Sequence, residues 1–153
     1  MNPIRVIGIG SPFGDDQLGW YIVDALEQCP YLPATWYPVS FIKADRPGIN
    51  LLELMRYSDT VVIVDAMKSG AQEGTVRRFT ATEIEGINTP VSSHGFGVAA
   101  ALAMARALDQ MPERLVLYGI EAGETGIHKC VKSGSDIDNI TRIIATDLMK
   151  LQL

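Results

Sequence analysis

TVVIVDA, Thr60 to Ala66, is the stretch on which the fold turns. Val61 to Val64 are four β-branched residues in a row with no polar alternation. A strand that is apolar on both faces lies between two covering layers, as strands of parallel sheets do. Working outward, Ile4 to Ile9 reads the same way and closes on Gly10. Leu18, Ile22, Ala25, Leu26 and Cys29 recur at helical spacing, and Pro30 stops the run. Thr35 to Ile42 reads as a second strand and Gly48 to Tyr57 as a helix. Thr75 to Thr80 alternates like a strand near a sheet edge, interrupted by Arg77 and Arg78. Residues 81 to 92 read as loop. His94 to Leu108, rich in alanine and glycine, reads as a helix packed closely on a sheet. Arg114 to Ile120 is another buried strand, and residues 121 to 134 read as loop. Ser135 is the expected N-cap of a last helix carrying Ile137, Ile140, Ile144, Leu148 and Leu151.

Strands alternating with helices along one chain predict an α/β domain, a three-layer α/β/α sandwich with a mostly parallel, twisted sheet. The 153 residues fit one domain, residues 1–153. Hydrophobic residues make up 47%, enough for a full core. A net charge of -5 argues against nucleic acid or an anionic membrane as the main partner. No apolar run is long enough for a membrane span. The start, MNPIRVIGIGS, looks like a strand entering a glycine turn rather than a signal peptide. A cytoplasmic protein is expected. Cys29 and Cys130 are too few for a disulfide framework or a cysteine-rich zinc site, so two reduced thiols are expected.

Ligands of such sheets bind beyond the carboxyl ends of the strands. The loops at issue are therefore residues 10–17, 65–74, 90–95 and 121–134. In GIGSPFGDDQLGW, Gly8 to Trp20, two glycines follow an apolar run, as in a dinucleotide fingerprint. The third fingerprint position, however, holds Phe13. Asp15 and Asp16 then stand where a pyrophosphate would lie, and two carboxylates repel it. Asp15 reads as the helix cap and Asp16 as a first-turn residue with a functional role. Asp65 closes the buried strand, either facing the crevice or bonding loop amides. His94 follows Ser92 and Ser93 at another strand-to-helix crossing, either in the site or packed in the core. Asp16, Asp65 and His94 come from three strand ends that converge in a parallel sheet. Two carboxylates and an imidazole suit Zn²⁺, Ni²⁺, Co²⁺ or Mn²⁺ with open positions. The chain has no H-E-x-x-H and no G-x-S-x-G.

These residues resemble the hydrogenase maturation proteases, the endopeptidases that finish the large subunit of nickel–iron (NiFe) hydrogenases. The family opens with a strand, a glycine turn and a G-N run that leads to D-D/E-x-x-G, here GSPFGDDQLG from Gly10 to Gly19. VIVDA, SSH and PGINLLELM match its strand end, its histidine turn and its G-x-x-L-L helix, in order and spacing. Ser11 stands where the family usually has asparagine, and Ala122 where its G-I/V-E/Q-P pattern has proline. The resemblance places the family's metal-recognising and catalytic residues on Asp16, Asp65 and His94. It implies removal of a C-terminal extension from the large-subunit precursor after nickel insertion. The nickel then arrives with the substrate, with no tightly bound organic cofactor. The implied partner is the NiFe-hydrogenase large-subunit precursor, met by a monomer with no membrane insertion. Two other readings stay open: a non-enzymatic nickel-precursor checkpoint or chaperone, and a nucleotide-binding α/β domain.

Overall fold

The computed structural model describes residues 4–12, 17–30, 32, 39–85, 95–122 and 134–150. Among the described residues, five strands form one sheet in the order β2-β1-β3-β5-β4. They are β1 (Ile4–Gly10), β2 (Val39–Asp45), β3 (Thr60–Met67), β4 (Val76–Thr80) and β5 (Arg114–Glu121). The first three and β5 run parallel, and β4 pairs antiparallel with β5 at the edge. The helices are α1 (Leu18–Glu27), α2 (Leu51–Met55), α3 (Ala81–Glu85), α4 (Gly95–Ala107) and α5 (Gly134–Lys150), with a 3₁₀ turn at Gly48–Asn50. The expected mostly parallel α/β/α sandwich is the observed one.

Side-chain parity divides the core in two. Ile4, Val6, Val62, Val64, Tyr118 and Ile120 point to one face and pack against α1 and α5. Ile7, Ile9, Val61, Ile63, Leu115 and Leu117 point to the other and meet α2, α3 and α4. Every residue of β3 is buried, which is why its sequence carries no polar alternation.

Four element bounds depart from the sequence reading. Residues 81–85 are helix, not loop. Thr80 and Glu83 form a reciprocal cap: the Glu83 amide donates to Thr80 Oγ1 at 3.3 Å, and the Thr80 amide donates to Glu83 Oε1 at 3.2 Å. This is the T-x-x-E capping box, with Ile84 buried as the turn's one apolar anchor. Strand β2 runs past Ile42 to Asp45, because Ala44 still faces the second core and pairs with Ile9. Its expected start, residues 35–38, lies outside the described residues. Glu121 belongs to β5, not to the loop. Helix α5 begins at Gly134, so Ser135 falls inside it rather than capping it. Cys29 is a half-buried free thiol, and Cys130 lies outside the described residues. Among the described residues, no helix is long and apolar enough to cross a membrane.

Two glycines set how closely α1 lies on the sheet. A Cβ on Gly19 would stand 2.3 Å from the Ile9 carbonyl oxygen and 2.8 Å from that of Val64. A Cβ on Gly8 would stand 2.6 Å from both the Gly19 oxygen and Val23 Cγ2. Bare backbone on both sides lets the first turn of α1 rest directly on the carboxyl ends of β1 and β3.

Candidate functional site at the carboxyl ends of the strands

Asp65 is the one residue of the three expected at the site whose placement is described. Asp16 and His94 lie outside the described residues. Asp65 is 1% exposed. Its odd position in β3 turns it to the face shared with Ile63 and Met67, the side covered by α4. Its register partner on β5 is Gly119, which puts no side chain beside it. A buried carboxylate costs several kcal/mol unless neighbours compensate it, so its retention at a strand end marks a specific environment.

The described elements bring the flanks of the other two residues to the same end of the sheet. Helix α1 starts at Leu18, just past β1. One side chain at its start bonds in both directions: Gln17 Nε2 donates to the Pro12 carbonyl at 3.0 Å, and Gln17 Oε1 accepts from the Tyr21 hydroxyl. The cap position of α1 is Gln17, with no side-chain cap bond. This replaces the expected cap Asp15, itself outside the described residues. Helix α4 ends at Ala107, shortly before β5 begins at the opposite end of the sheet. Its start at Gly95, the residue after His94, therefore points toward the carboxyl end. The Gly48–Asn50 turn, which follows β2, packs against it. Arg46, between that turn and β2, holds φ at 40°, and its amide donates to the Gly10 carbonyl at 2.9 Å. A non-glycine residue in the left-handed region is uncommon; here it ties the end of β2 to the end of β1.

Sequence reasoning missed the role of Glu121. It is 1% exposed, and both its oxygens accept the Ser69 amide, at 3.0 and 3.1 Å. Ser69 Oγ donates a third bond at 2.7 Å. The Gly74 amide donates to the Glu121 carbonyl, and the Glu121 amide to the Thr75 carbonyl, each at 2.9 Å. One residue thus holds both ends of the loop that follows Asp65. Charge-assisted bonds of this kind are the stronger sort. Glu121→Ala is expected to cost about 2 kcal/mol in urea unfolding and to open residues 68–75 to limited proteolysis. Glu121→Gln, which keeps an acceptor, should cost less; equal losses would show that the side-chain bonds do not hold the loop. The only trace in the sequence is the acid in GIEA, an unusual residue to end a buried strand.

No three His, Cys, Asp or Glu side chains among the described residues gather as a metal site. Comparison with known proteins supplies the family. The hydrogenase maturation protease model matches residues 21–134, most of the chain. The chain belongs to the hydrogenase maturation protease family. The matched stretch includes Asp65 and His94 and begins after Asp16. A hydrogenase expression/formation protein, HupD of Thiocapsa roseopersicina, is 29% identical over 124 residues, 79% of this chain. The chain's match spans 55%, about half, of that relative's length. The hydrogenase maturating endopeptidase HybD from E. coli superposes with a TM-score of 0.78 at 27% identity, over 98% of this chain and 93% of that one. The HybD maturation protease from Thermococcus kodakarensis shares the fold, with a TM-score of 0.68 at 21% identity over 99% of both chains.

Proposed function

We propose that the chain is an endopeptidase that removes the C-terminal extension of a NiFe-hydrogenase large-subunit precursor once nickel is in place. The observation that carries this reading is the buried carboxylate of Asp65 at the carboxyl end of a central strand, in a member of this protease family. Asp16, Asp65 and His94 are the residues assigned to meet the nickel. Two carboxylates and an imidazole without a thiolate hold divalent nickel weakly and leave positions open. That suits a metal that arrives inside the substrate. The nickel is then part of what is recognised, and no resident metal or organic cofactor is required. The hydrolysis itself needs a water delivered to the scissile carbonyl and a group to take its proton. The closely seated α1 and the Glu121-held loop would fix the walls in which that happens.

The net charge of -5 accords with a protein partner rather than nucleic acid. A monomer acting in the cytoplasm completes the reading.

The assignment is tested with two substitutions. Asp16→Asn and His94→Gln should each leave the melting temperature close to that of the parent while reducing trimming of nickel-loaded precursor by at least ~100-fold. If Asp16 only supports the helix start, asparagine serves as well and trimming persists. If His94→Gln melts far below the parent, the histidine is a core residue and the assignment fails there.

A further inference from the structure

Away from the strand ends, a groove of about 530 Å³ runs between the edge strand β4 and helix α5. Val76, Tyr118 and Ile143 supply its apolar surface; Arg78, Arg142 and Lys150 supply its charge. Its single carboxylate among the described residues, Asp147, is already engaged. The Tyr118 hydroxyl donates to Asp147 Oδ2 at 2.6 Å, and Arg78 Nη1 donates to Oδ2 and Oδ1 at 3.0 and 3.2 Å. Burial, reinforced by the Asp147 bond, keeps the Tyr118 hydroxyl protonated far above its ordinary range. No carboxylate among the described residues pairs with Arg142 or Lys150. These two cations outside any ion pair, beside an exposed Ile143, give the groove three positive side chains against one carboxylate on a chain whose net charge is -5. Strand β4 ends the sheet order, so its outer edge pairs with no strand among the described residues.

We infer that the β4–α5 groove is a docking surface for an extended, acid-rich segment of a partner protein. Such a segment can add along the β4 edge through its backbone. Its acidic side chains would meet Arg142 and Lys150 while alternate apolar side chains lie on Val76 and Ile143. An edge strand bearing two exposed arginines, Arg77 and Arg78, resists pairing with basic or neutral strands and so selects an acidic one. The inference goes beyond the endopeptidase reading and does not depend on it.

The probe is a short synthetic peptide alternating glutamate with valine, added to the full ¹⁵N-labelled chain. Amide shifts should concentrate on Val76–Thr80 and on the Arg142–Lys150 face, and should weaken as salt is raised. A matched lysine–valine peptide should produce none. The double variant Arg142→Gln, Lys150→Gln removes two exposed charges and should fold normally. It should bind about fivefold more weakly, the size of two surface ion pairs. The inference is overturned if no shifts arise at millimolar peptide, if they map elsewhere, or if the double variant or the lysine peptide binds as well. A chain that binds the glutamate peptide here but trims no precursor leaves this groove assigned and removes only the proposed activity.

Discussion

Gly19→Ala is expected to lower the melting temperature by about 10 °C. The reason lies in what the added carbon would meet. Its two nearest neighbours are the carbonyl oxygens of Ile9 and Val64, at 2.3 and 2.8 Å, and both are backbone in the middle of the sheet. Neither can swing aside as a side chain would. Helix α1 must instead lift from β1 and β3, opening the contacts of Leu18, Ile22 and Val23. Overpacking of this kind costs ~3 kcal/mol or more. For a chain of this size, each kcal/mol is worth roughly 2–4 °C. Gly8→Ala strikes the same interface from the strand side, since its Cβ would meet the Gly19 oxygen. The double variant should therefore cost less than the sum of the two, because a helix already lifted has made room. A Gly19→Ala protein that melts within about 2 °C of the parent would show that α1 is not seated as described.

The second large effect concerns catalysis. Asp65→Asn should reduce trimming of nickel-loaded precursor by at least ~100-fold, the more so because the group is assigned to contact the metal directly. Asparagine has nearly the same shape and still accepts hydrogen bonds, but it loses the charge. If Asp65 serves only to bond loop amides after β3, asparagine meets that need and trimming continues. Thermal melts of the same preparations separate loss of fold from loss of chemistry. A folded Asp65→Asn protein that trims at the parent rate would remove Asp65 from the site.

The sequence made the central strands plain because burial on both faces leaves a mark at each position. Val61 to Val64 have no polar partner, and the structure buries all of them. Helix α1 was as plain, since Leu18, Ile22 and Leu26 form one stripe. Helix α3 was hidden by its composition. ATEIE has one buried residue, and its start is set by the Thr80–Glu83 cap rather than by periodicity. That cap was present as T-x-x-E and went unread because no apolar stripe follows it. The end of β2 was hidden for a related reason: Lys43 and Asp45 look like loop residues, but they occupy an edge strand with one face open. At the site, Asp65 was legible as an acid where a strand leaves the core. Gly19 was read as a motif letter; its role appears only when Ile9 and Val64 are laid beneath it. Glu121 was legible only as the acid in GIEA; its role was hidden, because its partner Ser69 is 52 residues away.

The most direct test of the central claim is the mass of a hydrogenase large-subunit precursor after incubation with this protein, with and without nickel inserted. The account predicts that the nickel-loaded precursor loses a C-terminal peptide and the nickel-free precursor does not. It also predicts that the protein recovered afterwards carries far less than one metal per chain. Equal trimming of both precursors would contradict recognition of nickel. Binding of the nickel-loaded precursor with no change in its mass would contradict the endopeptidase and leave a checkpoint in its place.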